Sequence, residues 1–187
     1  MKYLVVFLFI FLVANGYSQS DDTNDKFITS CAKGELSKVR NYLKRGVDIN
    51  ARNRARWTAL AYACRYGHRD IIKLLVENGA DVNQTVNTGS TPLYLALNEG
   101  YYDIADYLIK HKADVNIADI MGMSPLAWAV KNGNLKMTKY LVEHGANINA
   151  INNNSRSILD ISEKDDVSKY LRSKGAYTTK EMIEKNK

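Results

Sequence analysis

With 187 residues, 45% of them apolar and 25% charged, the chain has the length and composition of one ordinary globular domain, a composition that excludes a largely disordered chain. That length is sufficient for one sizeable core. The net charge of +6 is a moderate basic excess spread along the chain.

The N-terminus stands apart from the globule. Met1-Lys2 is a short positive start, Tyr3 to Val13 (YLVVFLFIFLV) is an almost unbroken apolar run, and Ala14-Asn15-Gly16-Tyr17-Ser18 is small and polar. The run is too short to span a bilayer comfortably, and the small residues behind it fit a signal-peptidase site. A signal peptide over 1–18 is therefore expected, cleaved after Ser18, with cleavage after Gly16 as the second candidate and an uncleaved N-terminal anchor as the alternative. There is no cysteine at the site, which disfavours a lipoprotein. A short linker over 19–25 would follow. The mature chain is expected to be periplasmic or secreted, with no stable membrane span after cleavage.

Without Lys2 the chain carries 25 basic and 20 acidic residues, or +5. Outside the cytoplasm such a surface meets acidic proteins, cell-wall polymers or anionic membranes more often than nucleic acid, so no nucleic-acid partner is expected.

From residue 26 onward a 33-residue step governs the sequence. It relates Gly34, Gly67, Gly100 and Gly133; Asp48, Asp81, Asp114 and Asn147; Asn50, Asn83, Asn116 and Asn149; and Thr58, Thr91, Ser124 and Ser157. Each Thr or Ser precedes a short apolar run, where a hydroxyl can accept from the free amides of a helix start. Pro92 and Pro125 follow two of them, at a first helical position that tolerates proline. Gly67, Gly100 and Gly133 are placed to end that first helix. A second helix follows with 3.6-type periodicity, Ile71, Ile72, Leu74 and Leu75 being apolar against polar Lys73 and Glu77. Gly79 and Gly145 close it, and Lys112 at the equivalent place would cost about 1 kcal/mol in a left-handed conformation. The Ala-Asp-Val-Asn strings supply turn-forming side chains.

The strings Gly89-Ser90-Thr91-Pro92-Leu93 and Gly79-Ala80-Asp81-Val82-Asn83 resemble the ankyrin repeat. The resemblance covers about 25–177 and implies an all-α, ankyrin-repeat α-solenoid of helix-turn-helix units joined by β-turn hairpins. Three full repeats, at 53–83, 86–116 and 119–149, would be flanked by atypical N- and C-terminal capping repeats with polar outer faces. The repeat domain is expected over 26–178 and a polar C-terminal tail over 179–187.

Little in the chain points to catalysis. Cys31 and Cys64 are one 33-residue step apart, and stacked helices lie about 8–10 Å apart against a disulfide limit of about 7 Å, so two free buried thiols are expected. His111 and His144 are one step apart as well, too far to share a zinc whose nitrogen bonds are about 2.0–2.1 Å long. His68, in Tyr66-Gly67-His68, is a structural residue by the resemblance. No phosphate loop, nucleophile elbow or HExxH string is present. No catalytic residue, metal or cofactor is therefore expected, and the protein reads as a non-enzyme. Asn83-Gln84-Thr85 and Asn153-Asn154-Ser155 match the glycosylation pattern. Tyr107 and Tyr140 share one repeat position and are expected in the core of the second-helix layer.

The resemblance implies partner contacts at the hairpin tips and the exposed ends of the first helices. On this chain those positions are Arg54, Trp57, Arg65 and Tyr66; Asn87, Ser90, Asn98 and Glu99; Ile120, Met121, Met123, Lys131 and Asn132; and Asn153 and Arg156 in the cap. Trp, Tyr, Arg and Met are enriched at interfaces, and Ile120, Met121 and Met123 are apolar at a turn expected to be exposed. The expected function is a non-enzymatic module that binds an as yet unidentified protein through its concave face, as a monomer. The alternative is a polyanion-binding protein using Arg52, Arg54, Arg56, Arg65 and Arg69.

Overall fold

The computed structural model describes residues 22–185. The expected signal peptide, its Gly16 and Ser18 sites and the final two residues lie outside the described residues. Helix α1 is already formed at 22 and runs to 32, so 22–25 are helical where a linker is expected. An ion pair between Lys26 and Asp22, four residues apart and at 2.6 Å, lies along its exposed side, while Phe27, Ile28 and Cys31 are buried.

The helices that follow are α2 (Leu36–Lys44), α3 (Ala59–Tyr66), α4 (Arg69–Glu77), α5 (Pro92–Asn98), α6 (Tyr102–Lys110), α7 (Pro125–Lys131), α8 (Leu135–Glu143), α9 (Asp165–Ser173) and α10 (Thr179–Lys185). No strand forms among the described residues, apart from one isolated antiparallel bridge between Ile151 and Ser157. Each full repeat is an antiparallel pair, α3/α4, α5/α6 or α7/α8, and α3 packs on α5 while α2 packs on α4.

The hydroxyl register starts the inner helices. Thr58, Thr91 and Ser124 accept from the amides of Ala61, Tyr94 and Ala127 at 3.1–3.2 Å. Ser157 accepts the same bond from the amide three residues on, that of Asp160, at 3.2 Å, but no helix follows it. Its hydroxyl also donates to the Asp160 carboxylate, and a single turn over 158–161 stands where the other repeats have a helix.

The Asn register joins one repeat to the next. The Oδ1 atoms of Asn50, Asn83, Asn116 and Asn149 accept from the backbone amides of Asp81, Asp114, Asn147 and Tyr177 at 2.8–2.9 Å. The side-chain amides of Asn83, Asn116 and Asn149 donate across the same step to the carbonyls of Lys112, Gly145 and Gly175. The Asp register shapes each turn from within, since Asp48, Asp81 and Asp114 accept from the amide two residues on. Lys112 does adopt the left-handed region, at φ 72.

The tips of the second and third repeats touch through backbone, the Ile120 amide donating to the Thr88 carbonyl at 3.2 Å. Gly89 makes this approach possible, because a Cβ there would stand 2.6 Å from the Ile120 nitrogen. Arg56 replaces that glycine in the first tip and takes φ 63. Side chains bridge the first tip to the second instead. Arg52 Nη1 donates to the Thr85 carbonyl at 2.6 Å, and Trp57 Nε1 donates to Asn87 Oδ1 at 3.1 Å.

The segment expected as a polar tail folds back as α10. The Thr179 amide and hydroxyl both donate to the Asp160 carboxylate, and Arg172 on α9 pairs with both carboxylate oxygens of Glu181 at 2.6–2.8 Å. Cys31 and Cys64 are buried free thiols, and loss of hydration pushes Cys31 up to about 12 and Cys64 higher still. No described helix is long and apolar enough to cross a membrane.

Candidate functional site: the concave face

The inner helices and hairpin tips place equivalent residues side by side, repeat after repeat. In the first tip, Asn53 Oδ1 accepts from the Trp57 amide at 2.9 Å and closes the turn. The Trp57 ring then lies against Tyr62 on α3, at 4.7 Å between centroids, and Tyr62 stacks on Tyr66 at 6.2 Å. The Arg65 guanidinium sits over the Trp57 ring at 5.3 Å. Trp57 is half-buried and Tyr66 is 50% exposed, so this repeat presents an aromatic ladder edged by cations.

The five arginines of the polyanion alternative do not act alike. Arg52 is committed to backbone carbonyls, and Arg69 is on the outer helix α4, paired with Asp103 at 2.7 Å. Arg54 and Arg56 are exposed, with no side-chain partner among the described residues, and together with Arg65 they form the remaining cationic patch.

The second repeat presents a polar stretch. Asn87 is exposed but holds the Trp57 indole, Ser90 is half-buried beside Thr88 at 3.0 Å, and Asn98 and Glu99 are exposed at the end of α5.

The third tip is the apolar one. Ile120 is 72% exposed and Met121 49%, whereas Met123 is only 6% exposed and belongs to the core. Met123 therefore does not form part of an exposed turn. Asp119 Oδ1 accepts from both the Met121 and Met123 amides, and the Met123 sulfur accepts from Asn152 Nδ2 of the cap. The other oxygen of Asp119 accepts from Trp128 Nε1 at 2.8 Å, and Lys131 caps the Trp128 ring at 4.8 Å. Asn132 is exposed beside it. In the cap, Asn153 donates through its side-chain amide to the Ile120 carbonyl, and Arg156 bonds the Asp160 carbonyl.

A cleft of about 140 Å³ opens between this tip and the cap, lined by Met121, Met123, Lys131, Asn152, Asn154, Arg156, Ile161 and Glu163. Sequence reasoning omitted Tyr62 and Trp128, which shape the face from within. The signal was available, since both are aromatic at one repeat position two 33-residue steps apart.

The histidines act structurally. His68 Nε2 contacts the Ala32 carbonyl at 3.0 Å, with its ring against Gly34. His111 and His144 donate from Nδ1 to the carbonyls of Tyr107 and Tyr140 and stack on those rings at 4.2 Å. Tyr107 and Tyr140 are half-buried in the second-helix layer, packed against the core rather than enclosed within it. Among the described residues no His, Cys, Asp and Glu side chains converge as a metal site would require.

Residues 27–119 match the family profile for ankyrin repeats in three copies, and 121–153 match that for a single ankyrin repeat. A protein of Oryza sativa subsp. japonica described as probable E3 ubiquitin-protein ligase XBOS33 is 39% identical over 56 residues, 30% of this chain and 11% of that protein. The chain thus spans about a tenth of that relative's length. The profile matches cover the stacked helix pairs and most of the sequence, and the protein belongs to the ankyrin repeat family, whose units are protein–protein interaction modules.

Proposed function

We propose that the protein is a non-enzymatic binding module that acts outside the cytoplasm and engages one partner protein through its concave face. The observation that carries this reading is the pairing, on one face, of the Trp57, Arg65 and Tyr66 ladder with exposed Ile120 and Met121. Buried aromatic and arginine anchors dominate most protein interfaces, and apolar side chains at an exposed tip mark a surface that becomes covered. The mechanism is rigid presentation: stacked repeats hold both patches in fixed relation, so little ordering entropy is lost on association.

The test is partner capture with the wild type beside a Trp57→Ala, Met121→Asp double variant. Loss of the captured partner in the variant is expected, and equal recovery overturns the concave-face assignment. Action outside the cytoplasm rests on the apolar run at Tyr3 to Val13 and the small residues behind it. Fractionation with N-terminal sequencing should find chains beginning at Gln19 or Tyr17, and an intact Met1 in the cytoplasm overturns that placement.

A further inference from the structure

The exposed third tip and the cleft beside it have a common explanation. Met121 and Met123 line one part of the cleft and Ile161 another, and exposed Lys131 and Arg156 complete a rim on which, among the described lining residues, Glu163 is the one acidic side chain. Ile120 and Met121 would leave a soluble surface with an unusual apolar projection unless something packs on them.

The charge on this face is uneven. Arg54, Arg56 and Arg65 stand at one end and Lys131 and Arg156 at the other, while Asn87, Asn98 and the single acidic Glu99 leave the middle without a cation. Trp57 and Met123 hold the same repeat position two steps apart. At about 8–10 Å per stacked helix layer, the arginine patch and the cleft are about 16–20 Å apart, which an extended chain covers in roughly five or six residues.

We propose that the face receives an extended acidic segment of the partner protein. One bulky aliphatic side chain of that segment fills the cleft at Met121, Met123 and Ile161, and a carboxylate cluster about five or six residues away lies over Arg54, Arg56 and Arg65. This rests on the concave-face reading and adds the partner's chemistry and spacing. Guanidinium groups take carboxylates bidentately, and Arg65 is already oriented by Trp57. The cations steer the encounter, while the buried aliphatic group sets the lifetime.

The test is an NMR titration that follows the methionine methyl signals and the Trp57 indole N–H. The probes are synthetic peptides with an Asp/Glu cluster and a leucine separated by about five Gly/Ser residues, in both orders. Controls are the same peptides with leucine replaced by serine, and polyglutamate without an apolar residue. In one order the leucine peptide should move the Met121, Met123 and Trp57 signals together. It should also bind about tenfold or more tighter than its serine counterpart. Met121→Asp should abolish that difference while the Trp128 indole signal stays in place. Equal binding of the leucine, serine and polyglutamate probes overturns the proposal in favour of a polyanion contact. A Trp57 shift without methionine shifts overturns the cleft anchor and leaves the concave face standing. No shift by any peptide overturns the proposal, and partner capture then judges the face separately.

Discussion

Asn83 accepts from the Asp114 backbone amide at 2.9 Å through Oδ1, and through Nδ2 it donates to the Lys112 carbonyl at 3.1 Å. One side chain thereby fastens two consecutive repeats. Replacing it with alanine leaves a donor and an acceptor without their partner, at a cost of about 1–3 kcal/mol. Asn83→Ala should lower the thermal midpoint and Asn116→Ala should do the same. Calorimetry that finds both neutral would show that these bonds do not couple the repeats.

Asn83 is also the acceptor of a glycosylation sequon. A glycan on Nδ2 replaces one of its two hydrogens and crowds the Lys112 carbonyl that Nδ2 reaches at 3.1 Å, so in a secretory host that modifies sequons the folded protein should be unglycosylated at Asn83. Mass spectrometry after glycosidase treatment reads this directly. A fully occupied Asn83 in a protein of unchanged stability would contradict the staple.

Two backbone positions should respond in opposite directions. Lys112 holds φ 72, where a side chain costs about 1 kcal/mol, so Lys112→Gly should be neutral to stabilising by up to about that amount. Gly89→Ala places a Cβ 2.6 Å from the Ile120 nitrogen at φ 83, and should destabilise by more than 1 kcal/mol, of order 1–3. Chemical denaturation of the two variants beside the wild type measures the contrast, and a stable Gly89→Ala protein would rule out the close backbone approach of the tips.

The C-terminal latch should be acid-sensitive. Burial works against ionising Asp160, but hydrogen bonds from Thr179 and Ser157 outweigh it and bring the carboxyl down from its ordinary 3.8 to about 2. Because the folded value is the lower one, the contribution is complete above pH 3.8 and disappears as pH falls through about 2. Arg172 and the Thr178 amide hold Glu181 at about 2 by the same logic. The stability gap between wild type and Asp160→Asn should therefore close between pH 4 and pH 2, roughly the interval of that shift. A gap constant across this range would mean that the Asp160 carboxylate does not hold α10.

Cys31 and Cys64 should resist thiol reagents while the protein is folded, because both are buried and held as neutral thiols. Labelling monitored by mass should appear only across the denaturant transition. Rapid modification of Cys64 in native buffer would show that the inner-helix core opens locally.

The sequence by itself determined the repeat architecture and most helix boundaries. Thr58, Thr91 and Ser124 act on amides three residues away, and Pro92 and Pro125 act on their own φ, so neighbours along the chain suffice. Tertiary structure decided what happens between residues about thirty positions apart. Asn83 looks locally like a turn former, and only stacking brings the Asp114 amide within its reach. Met121 and Met123 look alike in sequence, and the Asn152 side chain of the next unit accompanies the burial of one while the other remains exposed. Ser157 carries the helix-start signature and its hydroxyl does accept from the Asp160 amide, yet only a single turn results, with the Asp160 carboxylate held by Ser157 and by Thr179 of the returning chain. The same contacts dock α10, whose polar sequence gives no apolar stripe from which docking can be read. Period and caps are written in local hydrogen bonding. The proposed binding face emerges only when the repeats stack, because its cleft is bounded by residues of two units that no local interaction joins.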